Sequence, residues 1–299
     1  AFASWLGEKT VRRLNPSWET DLEFQGYTQS AMDADSLVSA RVIRQPIKTE
    51  GDIGSAFDSL TYSKGGALIA MFERFTGEAS FREGIGRYMQ TYRFGNATTE
   101  QFLKAALFSQ PTDVVDSFKQ FLDRPGVPSV QLSKKCTGDK LDAVTVQASR
   151  FLPLGSAGSS KSAWTFPLCV KTSEGRFCEL VATKGEPVTI TPKTAMKCPS
   201  FLMPNDGGEF YVRMAPSKAD LDSLLAAARQ LSPRERLALV DAVRSGFRSG
   251  SLGLEDSVAA LLALANDPVD AVRFGGVDVL SFVAEMLEGS QRESFEQKV

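Results

Sequence analysis

Twice along this chain the hydrophobic period changes, and that alternation excludes most architectures. From residue 1 to about 124, apolar residues recur at the spacing of a helix. From 127 to about 215 they fall in short segments rich in β-branched and aromatic residues, separated by turn residues. From 216 onward the helical spacing returns. A pattern with a period of about 3.6 cannot turn all its apolar residues to one side of a strand. The order helix, strand, helix therefore predicts a multidomain α+β chain with regions 1–126, 127–215 and 216–299. At 299 residues the chain is long enough for two or three domains.

In the first region, Ala1 to Leu14 is expected as a helix with Phe2, Trp5 and Leu6 on one side, stopped at Asn15-Pro16. Ser17 is the expected cap of the next helix, which carries Trp18, Leu22, Phe24 and Tyr27 and runs through Met32 to about Ala40. Pro46 reads as loop, and Gly51-Asp52 opens a short helix to Phe57. A helix from Leu60 carries Ala67, Leu68, Met71 and Phe72 and ends at Gly77. Phe81, Ile85, Tyr88 and Met89 form the next stripe. Thr98-Thr-Glu-Gln101 is a capping box that opens a helix, and Asp113 opens another from Val114 to Leu122. Asp123-Arg-Pro-Gly126 then breaks the pattern.

The middle region reads as Val130–Leu132, Leu141–Ala148, Trp164–Thr172, Phe177–Thr183 and Val188–Ile190, the strands of a small sandwich, with a Gly/Ser loop at 155–162. All four cysteines lie here. Cys169 and Cys178 are symmetric about the turn Ser173-Glu-Gly175, and Cys136 and Cys198 flank the strands. Two disulfides on those pairs would suggest an oxidising compartment, extracytoplasmic or periplasmic. The alternative is four reduced cysteines acting as small apolar filler. A zinc site made of cysteines alone is disfavoured, because no C-x-x-C pair exists. In the last region Ser232-Pro-Arg-Glu235 is a strong helix start, followed by Leu237, Val240, Val243 and Phe247. Leu254–Ala265 and Val269–Leu287, the latter opened by Pro268, are two further helices. Paired helices of this kind suggest the start of an α-helical solenoid.

The net charge of −2 supplies no basic field for nucleic acid or anionic membrane, and no apolar run reaches the length of a membrane span. Histidine is absent from the whole sequence, so neither a Ser-His-Asp nor a Cys-His catalyst can be assembled from it. Phosphate-loop and dinucleotide motifs are absent as well. What remains is Leu60-Thr-Tyr-Ser-Lys-Gly-Gly66, where Tyr62 and Lys64 sit at a helix start beside glycines that let other backbone approach. A phenol there can donate a hydrogen bond to an oxyanion; the alternative is a half-buried core tyrosine. Lys64 is expected to be solvated or paired with a nearby carboxylate, and Glu8 and Glu50 to be surface or salt-bridge residues.

Pro46-Ile47, Asp52-Ile53 and Phe57-Asp-Ser-Leu-Thr-Tyr-Ser-Lys-Gly65 resemble the segment after the zinc site in the gluzincin aminopeptidases, the alanyl (membrane) and puromycin-sensitive type. Phe75-Thr-Gly-Glu-Ala-Ser-Phe81 and Phe94-Gly-Asn-Ala-Thr-Thr-Glu-Gln-Phe102 continue the resemblance in order. Asn205-Asp-Gly-Gly-Glu-Phe-Tyr-Val-Arg213 is similar to the closing strand of the family's β-sandwich, a glycine turn followed by tyrosine and arginine, and the last region resembles its helical domain in architecture only. The resemblance implies that residues 1–126 are the helical end of a thermolysin-like catalytic domain. It also implies that Tyr62 hydrogen-bonds the tetrahedral intermediate of peptide hydrolysis. Family members hold zinc with H-E-x-x-H and a later glutamate, whereas Ala1-Phe-Ala-Ser-Trp-Leu6 is similar to the phrase just after that glutamate. The expectation is therefore a C-terminal portion of a zinc aminopeptidase acting on peptides with a free N-terminus. Zinc and general base would lie in an upstream half of the same polypeptide, and this portion alone would bind no zinc and hydrolyse nothing. The alternative is a non-catalytic relative serving as a scaffold or interaction module.

Overall fold

The first helix, α1 (Phe2–Leu14), buries Trp5 against Phe81, whose ring lies 5.7 Å away, and ends where Pro16 forbids continuation. The computed structural model describes residues 1–297. Pro16–Trp18 forms a separate 3₁₀ turn, and Glu19, at φ 49°, reverses the chain before α2 (Thr20–Asp35). Ser17 therefore does not cap α2; its hydroxyl donates to the Asn15 side chain, and Trp18 is left exposed. The second helix also stops short of the expected Ala40. The Ser36 hydroxyl turns back to the Met32 carbonyl, and the carboxylate of Asp35, the last helical residue, accepts a bond from the Gly126 N–H, 2.8 Å away.

Thr49 and Asp52 close a capping box on α3 (Glu50–Ser55). A π-helical turn, Leu60–Lys64, runs straight into α4 (Gly65–Thr76). Next come α5 (Glu78–Thr91), α6 (Thr99–Ala106) and α7 (Thr112–Asp123). The Thr98–Gln101 box is formed as its spacing predicts. Close packing of α5 on α6 needs Gly84, where a Cβ would stand 2.4 Å from the Ala105 carbonyl oxygen.

Seven strands then build two small sheets. One joins β1 (Pro128–Thr137), β2 (Lys140–Arg150), β5 (Val188–Ile190) and β7 (Arg213–Met214) in the order β5-β2-β1-β7. The other joins β3 (Trp164–Thr172), β4 (Gly175–Thr183) and β6 (Leu202–Met203) in the order β4-β3-β6. The β3–β4 register places Cys169 opposite Cys178, and disulfides link Cys169–Cys178 and Cys136–Cys198. The stretch from Asn205, expected as a glycine turn leading into a closing strand, keeps the turn but is mostly a loop. Gly207 and Gly208 take positive φ, Asn205 brackets Phe210 through two bonds, and only Arg213–Met214 pairs, parallel to β1. The reason is space: a side chain at Gly208 would meet the Arg234 carbonyl at 2.8 Å.

Helices complete the described chain: α8 (Lys218–Ala226), α9 (Pro233–Ser249), α10 (Leu254–Leu264), α11 (Asp270–Glu285) and α12 (Gly289–Glu296). The last two positions of the expected helical region, 298–299, lie outside the described residues. One apolar cluster runs unbroken from Trp5 through Phe72, Phe121 and Trp164 to Val212, so helices and sheets share a core across residue 126. A second holds α8–α12, with Leu22 and Met214 at its edge.

Candidate functional site

Tyr62 occupies the π-helical turn ahead of α4. There the Gly65 N–H reaches back to the Leu60 carbonyl, five residues earlier, instead of the usual four. Such one-residue expansions recur at functional sites, because they swing a side chain off the regular helical phase. Asp58 holds the front of the turn. Its carboxylate accepts the Leu60 and Thr61 N–H groups at 2.9 and 3.1 Å, and Arg41 grips both its oxygens while donating to the Thr61 hydroxyl. Gly65 and Gly66 hold the back, since a Cβ on Gly65 would stand 2.8 Å from the Ala1 Cβ and one on Gly66 3.1 Å from the Phe24 ring.

Tyr62 so held is 45% exposed and belongs to neither of the two apolar core clusters. Its neighbour is the Phe57 ring, with centroids 6.2 Å apart. Tyr62 and Ser63 line a cleft of about 460 Å³ whose other walls are Ser4, Glu8 and Val11 of α1 and Thr20, Glu23, Phe24 and Tyr27 of α2. Glu8 meets the salt-bridge expectation, its Oε1 standing 3.9 Å from Arg12 Nε; burial pushes its carboxyl up, Arg12 opposing, and Oε1 accepts no hydrogen bond. Glu23 instead accepts the Tyr27 hydroxyl at 2.7 Å. Glu50 lies exposed in the first turn of α3, away from the cleft.

Lys64, two residues beyond Tyr62, points the other way and is fully buried. Of its two expected fates, solvation fails and pairing holds. Its Nζ lies 2.9 Å from Asp35 Oδ2 and donates to the Arg124 carbonyl at 3.1 Å. The same carboxylate accepts the Tyr211 hydroxyl at 3.1 Å and the Gly126 N–H. Burial pulls the Lys64 ammonium down from its usual value, Asp35 opposing, and holds the Tyr211 phenol well above its own. Asp35, Asp58, Arg41 and Tyr211 were missed from the sequence. Only Asp58 carries a local signal, an acidic side chain two residues before a helical turn.

The zinc that the gluzincin resemblance implies does not fit these residues. The chain holds no histidine, its four cysteines are paired, and among the described residues no three potential ligands converge.

Residues 1–122 match the peptidase family M1 domain. The chain is 27% identical over 278 residues to a probable M1 family aminopeptidase 1 of Encephalitozoon cuniculi, covering 92% of this chain and 31% of that protein. It is 25% identical over 268 residues to the tricorn protease-interacting factor F2 of Thermoplasma acidophilum, covering 89% and 32%. Over 177 residues it is 28% identical to the mitochondrial aminopeptidase 2 of Saccharomyces cerevisiae, covering 58% and 18%. The chain thus spans about a third or less of the length of these relatives.

Proposed function

We propose, for a chain whose residues 1–122 belong to the peptidase family M1 domain, that it is the portion of a zinc-dependent aminopeptidase that supplies the oxyanion donor. The substrate is a peptide with a free N-terminus. As its scissile carbonyl turns tetrahedral, the Tyr62 hydroxyl donates a hydrogen bond to the oxygen that becomes negative. An oxyanion donor lowers the barrier because the bond strengthens as charge develops. The observation that carries this reading is the exposed phenol on a π-helical turn, held by Asp58 and two glycines at the mouth of a cleft. Zinc ligands and the general base come from sequence beyond these residues, which agrees with relatives about three times as long.

In the same reading, residues 1–126 are the helical end of a thermolysin-like domain, 127–215 a β-sandwich and 216–299 the opening of a helical solenoid. The two disulfides favour an extracytoplasmic or periplasmic enzyme.

The test is Tyr62→Phe in the enzyme that carries this segment. It should lower kcat by about two orders of magnitude or more with KM unchanged, as loss of an oxyanion donor does. Near-wild-type turnover rejects the role. The second reading is a non-catalytic scaffold of the same fold. The adjoining sequence discriminates: H-E-x-x-H and a later glutamate support the enzyme, and their absence the scaffold.

A further inference from the structure

Tyr62 and Lys64 are two positions apart, and residues so spaced on a helix do not face the same way. One is exposed and the other is not exposed at all. The rotation of the turn about its axis therefore decides both side chains together: whatever holds Lys64 inward aims Tyr62 outward.

We infer that Lys64, Asp35 and Tyr211 form a buried positioning unit that sets the aim of the Tyr62 phenol. The unit makes the loop before β7 a working part of the site, and it rests on the oxyanion role given to Tyr62. Asp35 is its centre. One oxygen faces the Lys64 ammonium at 2.9 Å and the Tyr211 hydroxyl at 3.1 Å, and the other takes the Gly126 N–H at 2.8 Å. Lys64 spends a second donor on the Arg124 carbonyl, and its ammonium lies 5.6 Å from the Tyr211 ring centroid. Four separate stretches of chain thus converge on one carboxylate: the end of α2, the π-helical turn, the loop after α7, and the loop that leads into β7.

Stability does not explain why a charged pair stands here. A buried ion pair loses much of its Coulomb attraction to desolvation, and apolar residues of equal volume often stabilise as well or better. What directed bonds provide and an apolar plug does not is a unique geometry. Turning Lys64 by one position would leave both charges buried and unpaired, so only one rotation of the turn is compatible with the fold. Asp58 fixes the front of the turn and this unit fixes its end, with Tyr62 between them.

The test is a double-mutant cycle in the complete enzyme with an aminoacyl anilide. Tyr211→Phe keeps the ring and removes only the hydroxyl bond to Asp35. It should lower kcat about tenfold with KM unchanged, in keeping with the steep cost of small misplacements. In the Tyr62→Phe background the same substitution should change kcat by less than about twofold, because a unit that acts through the phenol has nothing left to aim. Lys64→Met with Asp35→Asn, which leaves no bare charge, should behave alike and serves if Tyr211→Phe does not fold. Losses that multiply across the cycle, or a Tyr211→Phe kcat within twofold of wild type while Tyr62→Phe is strongly impaired, overturn the inference alone. An unimpaired Tyr62→Phe enzyme overturns the oxyanion role and the inference with it.

Discussion

Removing one disulfide at a time separates their contributions. Cys136–Cys198 spans 62 residues of sequence and Cys169–Cys178 spans 9. Each bridge restricts the unfolded chain, and the entropy removed grows with the logarithm of the loop, giving about 4 kcal/mol for the long one and about 2.5 for the short one. Plain substitution would blur this difference, because Cys169 is fully buried and its loss also opens a void. The cleaner experiment keeps the side chains constant. In a Cys169→Ala/Cys178→Ala background, urea unfolding of oxidised and reduced protein reports the long bridge alone. The Cys136→Ala/Cys198→Ala background reports the short one. The expected order is a larger oxidised-minus-reduced difference for the long bridge, by about 1.5 kcal/mol. Equal differences, or the reverse order, would refute the loop-entropy argument.

Gly84→Ala should destabilise the protein by about 2 kcal/mol in urea unfolding, since backbone oxygens at 2.4 and 2.8 Å block the new methyl and outweigh its helix propensity. A neutral result would mean that α5 and α6 can move apart. Lys64→Met strands the Asp35 carboxylate in the interior and should cost about 3–5 kcal/mol, whereas Lys64→Met/Asp35→Asn should recover much of that; a double variant no better than the single one contradicts the pairing. The Tyr211 phenol is held well above 10.0 in the folded protein, so above that pH the unfolded chain loses the proton and the folded one keeps it. Tyr211 therefore contributes stability that is present below pH 10.0 and lost above it, while Lys64, lowered from 10.5, adds stability as pH rises towards that value. Unfolding midpoints between pH about 9 and about 11 should fall less steeply for Tyr211→Phe than for wild type; parallel curves would show that the phenol is not protected from titration.

Local chemistry was legible in the residues. The capping boxes at Thr98 and Ser232 start helices where their spacing says, because a cap is satisfied within three residues of itself. The symmetry of Cys169 and Cys178 about a turn predicted their register, since a hairpin pairs residues equidistant from its turn. Ser217 caps α8 by accepting the Asp220 N–H, a signal present in the sequence within three residues. Where a residue's partner lies far along the chain, local reasoning failed. Ser17 reads as a helix cap in sequence and is not one, because Glu19 turns the chain. The Asn205–Arg213 stretch reads as a glycine turn leading into a strand; the turn forms at Gly207 and Gly208, but close approach of the Arg234 backbone accompanies a loop that leaves only Arg213–Met214 paired.

The sequence by itself determined the order of helical and strand regions and most helix starts, since each rests on spacing within a few residues; Tyr62 as the residue to watch rests on the resemblance of residues 57–65 to the gluzincin aminopeptidases. Only the tertiary structure decided which way Tyr62 faces and what holds it there. Asp35 meets Gly126 across 91 positions and Tyr211 across 176, and no local pattern encodes such a meeting. A buried lysine selects its partner by where the folded chain leaves a carboxylate without water, and that site exists only after the helices and sheets have closed over it.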